Sequence, residues 1–85
     1  MSNRNTRKYE LRDSSGNTLY IGITNNLERR EVEHRNDGKI FNEIVQIGRA
    51  TTLEAASNWE KEAIQDYKES HHGHRPRYNK NDSGK

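Results

Sequence analysis

Arg7-Lys8-Tyr9-Glu10-Leu11-Arg12, Asp13-Ser14-Ser15-Gly16-Asn17 and Thr18-Leu19-Tyr20-Ile21-Gly22-Ile23 make up the stretch that decides the fold. In the first six residues Tyr9 and Leu11 alternate with Lys8, Glu10 and Arg12, the two-residue period of a half-buried strand. The next five are turn formers. The last six are rich in strand-favouring residues, so residues 7–23 read as a β-hairpin. Leu19, Ile21 and Ile23 share one face of its second strand, which leaves Tyr20 and Gly22 on the other. A glycine inside a strand weakens it unless something approaches the backbone closely.

Working outward, Asn25 followed by Glu28 resembles a capping box and opens a helix that runs to about Asp37 and stops at Gly38. That helix is mostly polar, and Leu27, Arg30, Glu31 and His34 fall on one side of it. Phe41 to Ile47 reads as a third strand ending at Gly48. Thr51-x-x-Glu54 is a second capping box, for a helix over about Leu53 to Glu69. Leu53, Ala56, Ala63, Ile64 and Tyr67 form its apolar stripe, Glu60 lies near the middle of that stripe, and Glu54, Glu62 and Glu69 lie away from it. From Ser70 the chain holds three histidines, a proline and a basic cluster. The order β-β-α-β-α predicts an α+β fold, a small three-stranded antiparallel sheet flanked by helices. One domain over 1–85 is expected, with disordered ends at 1–5 and 81–85.

Composition narrows the class. A chain of 85 residues buries only about 60 to 65 per cent of the surface exposed when unfolded, so the core is expected to be thin. Charged residues make up 33% of the chain, yet the net charge is only +2, so the self-repulsion of most disordered sequences is missing. The absence of cysteine excludes a disulfide framework, a cysteine-based zinc site and thiol catalysis, and fits a reducing cytoplasm. No apolar run matches a signal peptide or the roughly 18 residues of a membrane span, so no membrane association is expected. The charge is uneven: residues 1–30 carry six basic against three acidic groups, 31–69 five against nine, and 70–85 four against one. If the fold joins the two basic ends they form a face suited to a polyanion; otherwise mixed charge merely keeps the domain soluble.

Glu60 is the residue that most needs explaining, because an ionised carboxylate facing a core is costly unless it is paired or binds a metal. A salt bridge to an arginine is the plainer alternative to a metal ligand or catalytic acid. Arg30 and His34, four apart on a helix, can reach one point in space; the first offers a fork of donors to phosphate, the second a proton exchanged near neutral pH. Both could equally be solvated. Tyr9 and Tyr20 fit strand propensity and packing, and a phenol can also orient a water or bind a phosphate oxygen. His71, His72 and His74 lack the spacing of a metal site and read as loop residues.

Taken together these residues resemble the GIY-YIG nuclease family. Tyr20-Ile21-Gly22, with Tyr9 before it, Arg30 after it and His34 one helical turn further, matches the family signature. Glu60 with Ala63-Ile64, and then Pro76-Arg77-Tyr78-Asn79, is similar to its glutamate helix and terminal asparagine. Where the family's first motif reads Gly-Ile-Tyr, this chain has Arg7-Lys8-Tyr9. The resemblance implies a metal-dependent endonuclease that hydrolyses DNA to 5′-phosphate and 3′-hydroxyl ends. Glu60 would hold one divalent cation, Mg²⁺ or Mn²⁺. Tyr9, Tyr20 and His34 would activate the attacking water, and Arg30 would neutralise the transition state. Gly22 and Asn79 would support the site, Arg29, Arg35, Arg75, Arg77 and Lys80 would contact DNA, and no small-molecule cofactor is implied. With no further recognition segment in view, weak sequence preference and salt-dependent binding are expected. Two alternatives stay open: a nucleic-acid-binding module that does not cleave, and a toxin-type nuclease with an inhibitor partner.

Overall fold

The computed structural model describes residues 4–80. Strands β1 (Arg7–Arg12) and β2 (Thr18–Thr24) form the hairpin, helix α1 (Leu27–Asn36) follows, strand β3 (Glu43–Gln46) returns to the sheet, and helix α2 (Leu53–Ser70) closes the fold. The sheet order is β2-β1-β3 with both pairings antiparallel, so the predicted α+β architecture and element order are those observed. Of the ends expected to be disordered, 1–3 and 81–85 lie outside the described residues; Asn5 offers its carbonyl to the Arg7 guanidinium.

The hairpin turn follows from its sequence. The Asp13 carboxylate accepts the amides of Ser15 and Asn17, and Gly16 adopts a φ of 84° that residues with a Cβ rarely take. Tyr9 faces Gly22 and Leu11 faces Tyr20 across the β1–β2 pair, with an irregularity between Leu11 and Arg12. Residues opposite one another in an antiparallel pair share a face, so Tyr9, Leu11 and Tyr20 lie together. With Leu19 and Phe41 they form the main core, against which Leu27, Ile44 and Tyr78 pack. β2 is covered on both faces, since Leu19, Tyr20, Ile21 and Gly22 are all buried. The aliphatic and aromatic sides of this strand therefore do not divide into one buried and one open side.

α2 packs on β2 and β1 and buries Ala56, Glu60 and Ile64, one turn apart along a single line. Leu53, expected in that stripe, is instead 63% exposed. It is the first helical residue, and helical side chains lean toward the N-terminus, which carries it past the end of the packed face.

Three boundaries moved, each by a local competitor. Thr51 exchanges backbone hydrogen bonds with Thr6, so it stays extended and Thr52 becomes the cap of α2, accepting the Ala55 amide. Asn26, not Asn25, caps α1 by accepting the Arg29 amide, because β2 continues through Thr24 and the Thr24 hydroxyl holds the Asn26 amide. β3 is shorter than residues 41–47. Its ladder bonds reach from Asn42 to Ile47, but Phe41 turns into the core.

The open edge of β2 is covered by the tail. The Tyr78 amide donates to the Leu19 carbonyl, and the Asn79 side-chain amide both accepts from the Ile21 amide at 2.8 Å and donates to its carbonyl at 3.0 Å. A single asparagine thus imitates one residue of a fourth strand.

Candidate active site

The register of the hairpin builds the centre of the site. Tyr9 and Tyr20 lie diagonally on one face with ring centroids 5.9 Å apart and planes tilted by 27°. Both rings fold over Gly22. A Cβ at that position would stand 2.6 Å from a Tyr20 ring carbon and 2.7 Å from the Tyr9 hydroxyl, closer than real atoms approach. The glycine that sequence reasoning flagged as needing a close neighbour is crowded by the two tyrosines themselves.

α1 lays Arg30 and His34 on this pair. The Tyr9 hydroxyl is 2.7 Å from His34 Nε2, and the Arg30 Nε donates to the same hydroxyl at 3.4 Å while its Nη1 meets Glu33 at 3.1 Å. The His34 ring is 4.7 Å from that of Tyr20. His34 is the one residue of α1 that is buried, and among the described residues its Nδ1 has no hydrogen-bond partner. A polar helix is therefore docked through its polar groups.

Burial and neighbouring charge set the proton affinities. Desolvation, and then the adjacent Tyr20, push the Tyr9 phenol well above the usual tyrosine range, which the Arg30 contact offsets only in part. Burial also raises Tyr20, where the Arg30 charge pulls down and the Glu60 charge pushes up. Burial, followed by the positive charges of Lys39 and Arg30, lowers His34 to about 4, so it is neutral at pH 7. Burial works against the charge of Arg30, but the Tyr9 and Glu33 contacts outweigh it and hold the guanidinium protonated.

Glu60 is 2% exposed in the middle of the buried line of α2, and its charge is felt at Tyr20. Among the described residues no group of three or more His, Asp or Glu side chains could hold a metal ion. A site built on Glu60 would offer an ion a single carboxylate. That suits a hard divalent ion which keeps most of its waters and takes phosphate oxygens from its ligand, and it does not suit an ion caged entirely by protein.

A cleft of roughly 190 Å³ opens beside these groups, lined by Tyr20, Arg30, His34, Asp37, Lys39, Tyr78 and Lys80. Glu60 and the fully buried Tyr9 are not part of its wall, whereas Tyr20, whose proton affinity feels the Glu60 charge, is. Lys39, which sequence reasoning did not single out, stands with its Nζ 5.7 Å from the Tyr20 ring centroid and 3.5 Å from Asp37. A lone lysine after a helix-ending glycine carries no pattern that would have marked it.

The other basic residues separate. Arg29 is engaged by Asn25 and Glu33. Arg35 pairs with Glu31, donates to the Phe41 carbonyl and covers the Phe41 ring at 4.1 Å, so its charge serves the fold. Arg75, Arg77 and Lys80 lie exposed on the tail, and of these Lys80 reaches the cleft. His71 stacks on Tyr67 at 3.7 Å and its Nδ1 meets the Tyr67 carbonyl, which finishes α2. His72 and His74 are exposed in the loop that follows.

Paired tyrosines, an arginine and a neutral histidine on a β-β-α-β-α frame define a compact domain equipped to meet an anion with a charged fork and a proton relay. The chain belongs to the GIY-YIG family: the family model described as the GIY-YIG catalytic domain matches residues 8–73. This family is one of nucleases, which makes the domain a nuclease at the level of its class. No curated protein and no solved structure matches the chain.

Proposed function

We propose that the protein is a metal-dependent endonuclease that hydrolyses DNA phosphodiester bonds to 5′-phosphate and 3′-hydroxyl ends, with little intrinsic sequence preference. The observation that carries this reading is the 2.7 Å contact between the Tyr9 hydroxyl and Nε2 of a buried, neutral His34. A phenol whose pKa is raised by burial does not ionise by itself. It can, however, take a proton from water while giving its own to the imidazole, so no isolated phenolate forms. This needs His34 in the tautomer with the proton on Nδ1, leaving Nε2 free to accept.

In the reaction the water loses a proton to the Tyr9 oxygen, the Tyr9 proton passes to His34 Nε2, and the water oxygen bonds to phosphorus as the bond to the 3′ oxygen breaks; the departing oxygen takes a proton from solvent, and His34 returns one to solvent. Tyr20 orients the water from the other side of Gly22. Arg30, always charged and beside the Tyr9 hydroxyl, neutralises the negative charge that builds on the phosphoryl oxygens. Glu60 would hold the divalent ion, Mg²⁺ or Mn²⁺, which when bound supplies charge neutralisation at the departing 3′ oxygen. Gly22 lets the two rings close, and Asn79 fixes the strand that carries Tyr20.

Cleavage of supercoiled, linear, branched and single-stranded DNA in Mg²⁺ or Mn²⁺ tests the reading, with Glu60→Ala alongside. The expected result is ion-dependent cleavage by the parent protein and a loss of at least about 10²-fold in the variant, the scale of removing one group that stabilises transition-state charge. Parent protein that leaves every substrate intact overturns the proposal.

A further inference from the structure

The cleft beside the tyrosines does not end at them. A second depression, of roughly 490 Å³, is lined by Asp37, Gly38, Lys39, Arg77, Tyr78 and Lys80, and it shares Asp37, Lys39, Tyr78 and Lys80 with the first. The two are one trough, with Tyr20, Arg30 and His34 at its inner end and Arg77 at its outer end.

Its walls come from two distant parts of the chain, the turn after α1 and the tail, and they are fastened together. The Tyr78 hydroxyl accepts the Ile40 amide at 3.0 Å and donates to the Ile40 carbonyl at 3.3 Å. Asn79 pins the next residue to β2, so Lys80 is carried on a fixed segment. The turn is glycine at Gly38, with a φ of 85° and open space where a Cβ would stand, so the floor is low there. Four cations line the trough, namely Arg30, Lys39, Arg77 and Lys80. The one acid among its lining residues, Asp37, is paired with Lys39. The two depressions share lining residues, so one strand lying along them meets both ends.

We infer that this trough is a second phosphate subsite, formed by Lys39, Arg77 and Lys80, which seats the phosphate adjacent to the cleaved one on a single DNA strand. It rests on the nuclease reading only in placing this phosphate beside a cleaved one; the binding itself needs no catalysis. Lys39 lies within the family match, whereas Arg77 and Lys80 lie beyond its end at residue 73. Lys39 has two effects in this arrangement. It offers its ammonium to the strand and, by its charge, adds to the burial that keeps His34 neutral at the inner end.

The test is binding of a 5′-phosphorylated thymidine trinucleotide to the whole protein in EDTA, followed by backbone amide shifts, with inorganic phosphate as a second probe. The subsite predicts shifts at Gly38, Lys39, Arg77 and Lys80 with the trinucleotide that inorganic phosphate reproduces only weakly. Lys80→Gln and Arg77→Gln each lower the salt slope of binding a longer single strand by about 0.7, the value for one lost phosphate contact. Lys61→Gln, exposed on α2 and outside the trough, leaves that slope unchanged. Tyr78→Phe keeps every charge but loses the fastening, and weakens binding at fixed salt. Shifts confined to other surfaces, or slopes unmoved by both tail substitutions, overturn the subsite. Cleavage assayed in parallel separates the two proposals: binding in the trough without cleavage in Mg²⁺ sinks the nuclease reading alone, and cleavage with unmoved slopes sinks the subsite alone.

Discussion

The two helices reach the sheet by opposite means. α2 buries Ala56, Glu60 and Ile64 along one line, so a carboxylate is carried in by apolar neighbours on either side of it. α1 buries only His34, and what holds it are contacts from Arg30 and His34 to Tyr9, the Arg35 cover of Phe41, a cap at Asn26 and the partial cover of Leu27. In α2 the scaffold and the functional group are separate residues. In α1 they overlap, so the first helix depends for its position in large part on the groups that would do chemistry.

That contrast can be broken in three ways. The largest effect is expected at Ile64→Ala, fully buried on α2, with a loss of about 2–5 kcal/mol in urea unfolding. If that variant does not fold, Ile64→Val is expected to lose about 0.5–1.5 kcal/mol. A value near zero would mean that α2 is not held by its apolar line.

Acid is the next probe, and it acts on α1. His34 has its folded pKa lowered from 6.5 to about 4, so the unfolded chain takes up a proton at higher pH than the folded one. Its contribution to stability is complete above pH 6.5, is lost as pH falls toward 4, and changes no further below that. Tm measured across this window should fall with acid, and His34→Gln should flatten the fall; an unaltered slope would show that His34 is not the group responsible. The smallest effect belongs to Val32→Ala, 56% exposed on the outer side of α1, which is expected to shift stability by less than about 0.5 kcal/mol. A larger loss would mean that α1 has an apolar contact of its own.

The parts of the molecule legible in the sequence are those with a period. The hairpin was readable from alternation at residues 7–12 and turn formers at 13–17, and α2 from its apolar stripe, including the inward position of Glu60. The caps fall one residue later than their sequence signals because Asn25-Asn26 and Thr51-Thr52 each offer two candidates; Thr24, just before the first pair, and Thr6, distant from the second, make the choice. Gly22 announced that something must approach it, though not that Tyr9 and Tyr20 would do so. The bond from Tyr9 to His34 spans two elements whose relative placement no local pattern encodes. Lys39 was invisible for the same reason, since its importance comes from the tail that folds back to face it.

The asparagine clamp on β2 has a practical consequence for anyone shortening the chain. The match to the family ends at residue 73, yet Tyr78 and Asn79 occupy the hydrogen-bonding groups of Leu19 and Ile21. Cutting at that boundary would bare a run of unpaired donors and acceptors beside apolar side chains, an invitation to self-association and aggregation. The useful minimal unit therefore extends through the tail, and solubility after truncation would report on the clamp before any assay of activity did.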